Sequence, residues 1–268
     1  MQSLYGAIAN YKLKKIMAYK ISIDKVYQKV LALANKEQRG YITPQEFNLF
    51  ADQAQMEIFE QYFYDINQWS RQQGNSNEYS DMLSNLEEKI DFFARYDAAL
   101  ESNNSYGDIN LNADLPDLYR LGGVRVKYAN ATRFVEAEQL RSRKEFILYH
   151  TSLLGKENKK RPVYHRNITA SGNDRVKIYP YPDLHDDGLY HIRADYLRKP
   201  KTPNWNYIVI NNKPLYNSTN SQDFELHVSE EPELVYRILA LAGIAVEKPQ
   251  LSQMAVGLQT AQVQQEKQ

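Results

Sequence analysis

The sequence predicts an α+β protein in which helices come first, strands occupy the middle and a single helix follows near the end. Three observations predict this class. Apolar residues recur at three- and four-residue spacing up to about residue 100, alternate with polar ones in short runs between residues 116 and 228, and return to helical spacing after residue 229. Helices that precede a block of strands, rather than alternating with strands, are typical of α+β folds.

The N-terminal region, residues 22–100, is predicted to be a bundle of three amphipathic helices, preceded by an extension over residues 1–21. The first helix has Ser22 or Asp24 available as its cap, and the third carries an apolar stripe that ends at Phe93. Short connections between successive helices favour antiparallel neighbours.

Residues 35–47, between the first two helices, resemble the outline of an EF-hand calcium loop. Gly40 and Glu46 would take the sixth and twelfth positions, but the fifth is Arg39, which puts a cation where a calcium ligand belongs. Backbone roles explain the same residues, because Gly40 can make a turn and Thr43 can form a capping box with Glu46. We therefore expect a helix–turn–helix corner that does not respond to calcium.

The second helix has an unusually wide apolar face. Its main stripe reaches Trp69, and Phe59 and Phe63 lie beside that stripe and widen it. Such a face has room for two partners, its own bundle and an adjacent subunit. Phe59, Phe63 and Trp69 are therefore predicted interface candidates.

Residues 101–115 are polar, rich in Asn and Asp, and are predicted to be a linker. Residues 116–228 follow as an antiparallel β-rich region, since several short runs alternate between apolar and polar side chains. One helix is expected within this region, over residues 133–150, where Glu, Gln and Leu are frequent. The cluster that contains His185 and Asp187 reads as a hairpin tip rather than as a metal site, because Asp-Asp-Gly is a turn signal and its spacing fits no metal motif.

A C-terminal helix is predicted over residues 229–246, with Ser229 as its cap and acidic residues in its first turn. Residues 247–268 form a Gln-rich tail whose apolar residues are sparse. Leu251, Met254 and Leu258 are the candidates through which this tail would contact, and become ordered on, a partner.

Composition excludes several function classes. Lys plus Arg equals Asp plus Glu at 33 each, so no overall charge attracts nucleic acid or an anionic membrane. The absence of cysteine removes thiolate catalysis and Cys-based zinc sites. The sequence also lacks a nucleophile elbow, a phosphate-binding glycine loop and an HExxH pattern. We therefore expect neither catalysis nor a cofactor or metal.

Tyrosine is the one strong compositional bias, with 21 residues in the chain. Tyrosine offers apolar area and a polar tip at a low cost in side-chain entropy, which suits protein interfaces. It also fills strand positions by propensity. Both interpretations stay open, and the first favours an assembly role.

Four phrases of the sequence form a distinctive combination. They are VLALANKEQRGYITPQEFNLFADQAQMEIFEQYFYDINQW, LPDLYRLGGVRVKY, the pair IYPYP and IRADYLRKPKTPNW, and FELHVSEEPELVYRILALAGI. Together they resemble a group of virion structural proteins from crAss-like and marine tailed bacteriophages, over a span from about Ser22 to the C-terminus. The resemblance implies a component of the head-to-tail connector, a ring or adaptor stacked below the portal.

The resemblance also implies partners and a location. An adaptor ring joins the portal to the tail and lines the DNA exit channel used in viral DNA ejection. Its partners would be further copies of itself, twelve by analogy with connectors below a twelve-fold portal, the portal protein, and neighbouring ring or tail proteins. DNA would be present only as the passing genome and no membrane would be involved. The protein would be made in the host bacterial cytoplasm and end in the neck or tail region of the virion.

Two alternatives remain beside the connector. One is a tail or tail-hub structural protein further from the portal, which the sequence does not separate from a connector because both form rings with polar exteriors. The other is a DNA-interacting accessory protein packaged in the capsid. Salt-dependent retention on DNA would favour that second alternative, because salt weakens phosphate contacts steeply.

Overall fold

A computed structural model describes residues 20–36, 42–71, 77–101, 108–128, 131–169, 172–182 and 191–245, together with Gly257 and Thr260. These residues divide into two compact units. The helical unit comprises the described residues of Met1–Phe92 and Pro200–Gln268, and the sheet unit comprises those of Phe93–Lys199. The sheet unit is therefore an insertion within the sequence of the helical unit.

Six α-helices and nine β-strands lie in the described part of the chain. In order they are α1 (Ile23–Lys36), α2 (Pro44–Arg71), α3 (Asn77–Asp91), β1 (Ala94–Leu100), β2 (Asp108–Asn110), α4 (Leu111–Asp114), β3 (Leu118–Lys127), β4 (Val135–Leu140), α5 (Arg143–Thr151), β5 (Val163–Ile168), β6 (Asp174–Tyr179), β7 (His191–Arg198), β8 (Tyr207–Ile210), β9 (Lys213–Tyr216) and α6 (Glu231–Ala245).

The start of α2 confirms the predicted capping box. The backbone N–H of Thr43 donates to Glu46 Oε2 at 2.9 Å, and the N–H of Glu46 donates to Thr43 Oγ1 at 3.3 Å. Pro44 occupies the first helical position, where its missing N–H costs nothing. Residues 37–41 of the EF-hand-like stretch, which include Gly40, lie outside the described residues, so the absence of calcium binding stays a prediction.

The C-terminal helix α6 lies at the centre of the helical unit, where α1 and α2 both pack against it. Its apolar face buries Leu234 and Ile238 completely, and α2 contributes Ile58 among other buried side chains to the same unit. Helix α3 also packs on α2. The helical unit thus draws on both ends of the sequence, and the antiparallel bundle expected for the first three helices alone stays a prediction.

The sheet unit is built around seven strands in the order β1-β7-β3-β4-β5-β6-β2. The described strand pairs are antiparallel except for β4 and β5, which are parallel. The α+β class predicted from the sequence is confirmed. One face of the sheet buries an apolar cluster that includes Leu100, Ile109, Leu111, Val124, Val126, Val176, Ile178 and Ile192.

Two segments of the sheet unit differ from the elements expected in them. Ala94–Leu100, expected to be helical, is strand β1, because it pairs with β7 about a hundred residues later. The expected linker contains β2 and the short helix α4, and the side chains of Ile109 and Leu111 are fully buried. Asn and Asp residues surround Ile109 and Leu111, so the sequence of this segment resembles a linker although these two side chains belong to the core.

The inserted helix is shorter than expected. Its first half, Val135–Leu140, is strand β4, which pairs with β3 and β5, and only Arg143–Thr151 is helical. Ser142 caps this helix by accepting a hydrogen bond from the N–H of Glu145 at 3.1 Å. The predicted hairpin tip that contains His185 lies outside the described residues.

Candidate functional site

Strands β8 and β9 of the helical unit form a two-stranded hairpin with a two-residue turn. Ile210 pairs with Lys213 across the turn, and Tyr207 pairs with Tyr216 at the open end. The turn residues Asn211 and Asn212 have φ values of 50° and 59°. Left-handed conformations at both central positions define a type I′ turn, which suits the twist of a hairpin and tolerates Asn.

The base of the hairpin is anchored on Trp205, which is 3% exposed. The indole N–H donates to Asp24 Oδ1 of α1 at 3.1 Å, and the backbone N–H of Trp205 donates to Asn48 Oδ1 of α2 at 2.8 Å. The indole also lies against Tyr27, with ring centroids 4.3 Å apart. Two helices therefore fix the position at which the chain enters β8.

A buried polar network fixes the segment just before Trp205. Gln55, which is completely buried in α2, donates from Nε2 to the carbonyl of Lys201 at 2.9 Å and accepts from the N–H of Glu225 at 3.0 Å. The Glu225 carboxylate in turn accepts from the N–H of Lys201 at 2.9 Å. Because each of these buried groups has a partner, the network holds the backbone without an unpaired polar group at these positions.

One face of the hairpin covers this anchor. The rings of Tyr207 and Tyr216 both lie 5.8 Å from the Trp205 ring, between centroids. Their positions opposite each other in the register place both rings on the same face. An open groove of about 630 Å³ runs along strand β9, lined by Leu215 and Tyr216 of that strand, by Trp205 and by Leu31 of α1 among others.

The opposite face of the hairpin carries three exposed aliphatic side chains beside Lys213. Ile208 and Ile210 are each 52% exposed and Leu215 is 51% exposed, and the alternation of the strands puts the three on one face. A two-stranded hairpin is marginal by itself in water, and a contiguous apolar surface on it marks a contact site. We identify this outer face as the candidate interface.

The two outer edges of the hairpin are not equivalent. Ile210 and Lys213 flank the turn as a hydrogen-bonded pair, so the next pair, Val209 and Pro214, directs its backbone groups outward. Pro214 has no N–H and blocks strand addition along β9. The corresponding groups of Val209 point to the open side of β8, where an extended segment of a partner can pair.

The interface candidates predicted from the sequence lie elsewhere. Phe59 has no exposed surface, and its ring meets the half-buried ring of Phe63 edge to face at 5.1 Å, so both contribute to packing within the helical unit. The side chain of Trp69 and residues Leu251, Met254 and Leu258 lie outside the described part. A role for these residues between subunits stays a prediction.

The sequence predicts only the first of the two hairpin strands. The segment up to Asn212 reads as one strand, but its partner β9 was missed because Pro214 weakens a strand pattern. Asn211 and Asn212 between two apolar runs were the available signal, since such a pair favours a type I′ turn.

A second cleft lies in the sheet unit. It measures about 250 Å³ and is lined by Arg143, His165, Lys177 and Tyr179 among others. Burial raises the pKa of Tyr179, which further favours the protonated phenol that can donate a hydrogen bond. Within the described ranges, no three His, Cys, Asp or Glu side chains come together as a metal site would require.

No model of a known protein family matches the chain, and no curated protein matches it. No helix among the described residues combines the length and apolar character needed to cross a membrane.

Proposed function

We propose that the chain is a structural subunit of a tailed-phage virion, a head-to-tail connector protein that forms a ring between the portal and the tail. The observation that carries this proposal is the uncovered apolar face of β8 and β9. Three large aliphatic side chains stand half exposed there, on a hairpin whose other face packs on Trp205 through Tyr207 and Tyr216. The resemblance in the sequence supplies the kind of assembly in which such a face would be covered.

The physical support is the contrast between a fixed anchor and an unused surface. Ordering a hairpin costs backbone entropy. Part of this cost is offset on one face of the hairpin, where Tyr207 packs on Trp205. Covering Ile208, Ile210 and Leu215 in an assembly adds hydrophobic stabilisation of about 25 cal/mol for each Å² of apolar area removed from water. Association therefore completes the packing of the hairpin.

The proposed role needs no chemistry from the subunit. Its partners are further copies of the chain, the portal protein and neighbouring ring or tail proteins, and the genome passes through the channel that the ring surrounds. The subunit then belongs to the neck of the particle. The alternative of a tail or tail-hub protein uses the same surface at another level of the virion.

The decisive experiment is a cryo-EM map of the intact virion. We expect a closed ring of this chain in contact with the portal or with the first tail component, and the outer face of β8 and β9 covered by a neighbour. A ring far below the portal would select the tail alternative. A chain that is monomeric in the particle, without contact to portal or tail, would refute the proposal.

A further inference from the structure

A strongly basic segment follows strand β4. Residues 141–161, called the basic segment here, hold seven Lys or Arg and two Glu in a chain whose total charges balance. One of the acids, Glu157, has a side chain only 5% exposed and lies 2.6 Å from His150 Nδ1. The carboxylate of the other, Glu145, accepts a hydrogen bond from the N–H of Arg141 at 3.1 Å. The charge that the segment presents to its surroundings is therefore positive.

The basic segment is also apolar at its tip. Helix α5 has no buried residue, and Ile147 and Leu148 are 55% and 67% exposed. Leu153 and Leu154, just beyond the helix, are fully exposed. Two adjacent leucines with no contact are unusual on a polar loop and mark a contact surface.

Helix α2 of the helical unit is acidic, so its charge is opposite to that of the basic segment. Over Pro44–Arg71 it holds five acidic residues and one basic residue. Its outward side presents Leu49 at 72% exposure and Tyr64 at 67%, with Asp52 and Glu60 between them at helical spacing. Among the described residues, neither of these two carboxylates has a hydrogen bond or an ion pair. These four residues are called the acidic face.

The two surfaces are comparable in length and opposite in charge. From Leu49 to Tyr64 the acidic face extends about 22 Å at 1.5 Å per residue. Helix α5, of nine residues, extends about 14 Å by the same measure, and its leucine tip lengthens it. Each surface therefore offers apolar side chains flanked by charges of one sign, and the signs are opposite.

We propose that the basic segment of one copy docks on the acidic face of α2 in the next copy. This inference rests on the proposed function, since it supplies the contact by which identical subunits follow one another around a ring. The two surfaces are different parts of the same chain, so the contact is heterologous and generates a closed ring when the rotation fits. Charge complementarity fixes the direction and register of the contact, and the leucines and Tyr64 add apolar burial.

Duplex DNA is a less suitable occupant of the basic segment. Phosphate contacts would use the lysines and arginines but would leave Leu153 and Leu154 in water. A protein surface with both carboxylates and apolar side chains can contact the basic side chains and the leucines together. The acidic face provides such a surface within this chain.

Charge reversal tests the inference on the full-length protein. A basic-segment variant carries Lys144→Glu and Lys156→Glu, and an acidic-face variant carries Asp52→Lys and Glu60→Lys. A control variant carries Lys25→Glu and Lys199→Glu, two exposed lysines outside both surfaces. Self-association is measured by sedimentation velocity at low ionic strength, where surface charges are least screened.

We expect each surface variant alone to self-associate about tenfold more weakly than the wild-type chain, a change of about 1.4 kcal/mol. An equimolar mixture of the two variants should recover the wild-type association, because every contact between unlike copies again joins opposite charges. Recovery in the mixture shows that the contact is between chains. The control variant should behave as the wild type.

Several outcomes would overturn the inference. Undiminished association of both surface variants would reject this contact and leave the proposed function standing on the hairpin. Weaker association without recovery in the mixture would also reject the pairing. A basic-segment variant that loses only its retention on duplex DNA would assign the segment to DNA. A wild-type chain that stays monomeric would reject the contact, and the virion map would then decide the proposed function separately.

Discussion

The hairpin and the basic segment both expose large apolar side chains, yet they differ in how they are supported and charged. The hairpin, residues 207–216, carries one charged residue, Lys213, and rests on a buried Trp205. The basic segment carries nine charged residues, and no residue of its helix α5 is buried. The first surface is held in shape by the fold and is suited to affinity, whereas the second is suited to direction and should respond to salt.

The largest effect should come from removing the hairpin's support. We expect Trp205→Ala to lower the free energy of unfolding of the helical unit by about 3–5 kcal/mol, since it deletes a buried indole and its hydrogen bond to Asp24. Urea denaturation followed by far-UV circular dichroism measures this. The matched change in the basic segment, Leu153→Ala with Leu154→Ala, should alter stability by less than about 0.5 kcal/mol because both side chains are fully exposed. Equal losses in the two variants would contradict the comparison.

The next effect separates assembly from stability. Ile208→Asp with Ile210→Asp should weaken self-association about tenfold or more, because burying a carboxylate in an apolar contact is costly. The unfolding midpoint should change little, since both side chains already stand in water. Ile168→Asp, at an exposed isoleucine of β5, is the control and should leave association intact. Analytical ultracentrifugation measures both variants, and an unchanged sedimentation profile for the hairpin variant would remove the hairpin from the assembly.

A smaller effect concerns the turn that shapes the hairpin. Asn211→Ala should destabilise the hairpin by about 1 kcal/mol, because alanine tolerates a left-handed backbone poorly. Asn212→Gly should be neutral or slightly stabilising, since Asn-Gly is the preferred type I′ pair. Amide hydrogen exchange of β8 and β9 reads out both changes locally. Faster exchange in the glycine variant would argue against the type I′ assignment.

The smallest effect lies far from either surface and depends on pH. Hydrogen bonds from the Thr43 hydroxyl and then from its N–H hold the pKa of Glu46 below its ordinary value of 4.5. The stabilisation from this capping box is therefore fully present above pH 4.5 and is lost as the pH falls through the lowered pKa. Comparing Glu46→Gln with the wild type across that range by thermal melting should show the difference at neutral pH vanish in acid. A difference that grows in acid would contradict the sign.

Local signals in the sequence were reliable where the structure depends on neighbouring residues. Thr43 and Glu46 form the predicted cap because the two partners lie three positions apart. The α+β class followed from apolar spacing in the same way. Strand β1 could not be predicted from Ala94–Leu100 alone, because its partner β7 lies about a hundred residues away and decides its conformation.

The candidate interface also could not be predicted from local sequence alone. The run Tyr207–Ile210 reads as a strand with apolar side chains, and such runs are usually buried, so the sequence does not reveal that Ile208 and Ile210 stand half exposed. Phe59 shows the converse, since a phenylalanine beside the main stripe is completely buried. Periodicity identifies an apolar face, but only the tertiary structure shows which faces are already covered.

The insertion of the sheet unit between Phe92 and Pro200 determines when each unit can fold during synthesis. The sheet unit is contiguous and can fold as soon as Lys199 has left the ribosome. The helical unit must wait for its last elements, because Ile21 pairs with Phe224 and α1 and α2 pack on α6. Closing contacts across about 200 residues is entropically slow. The acidic face of α2 therefore reaches its folded position last. A growing chain cannot bind another copy through this face before translation has reached the C-terminal helix.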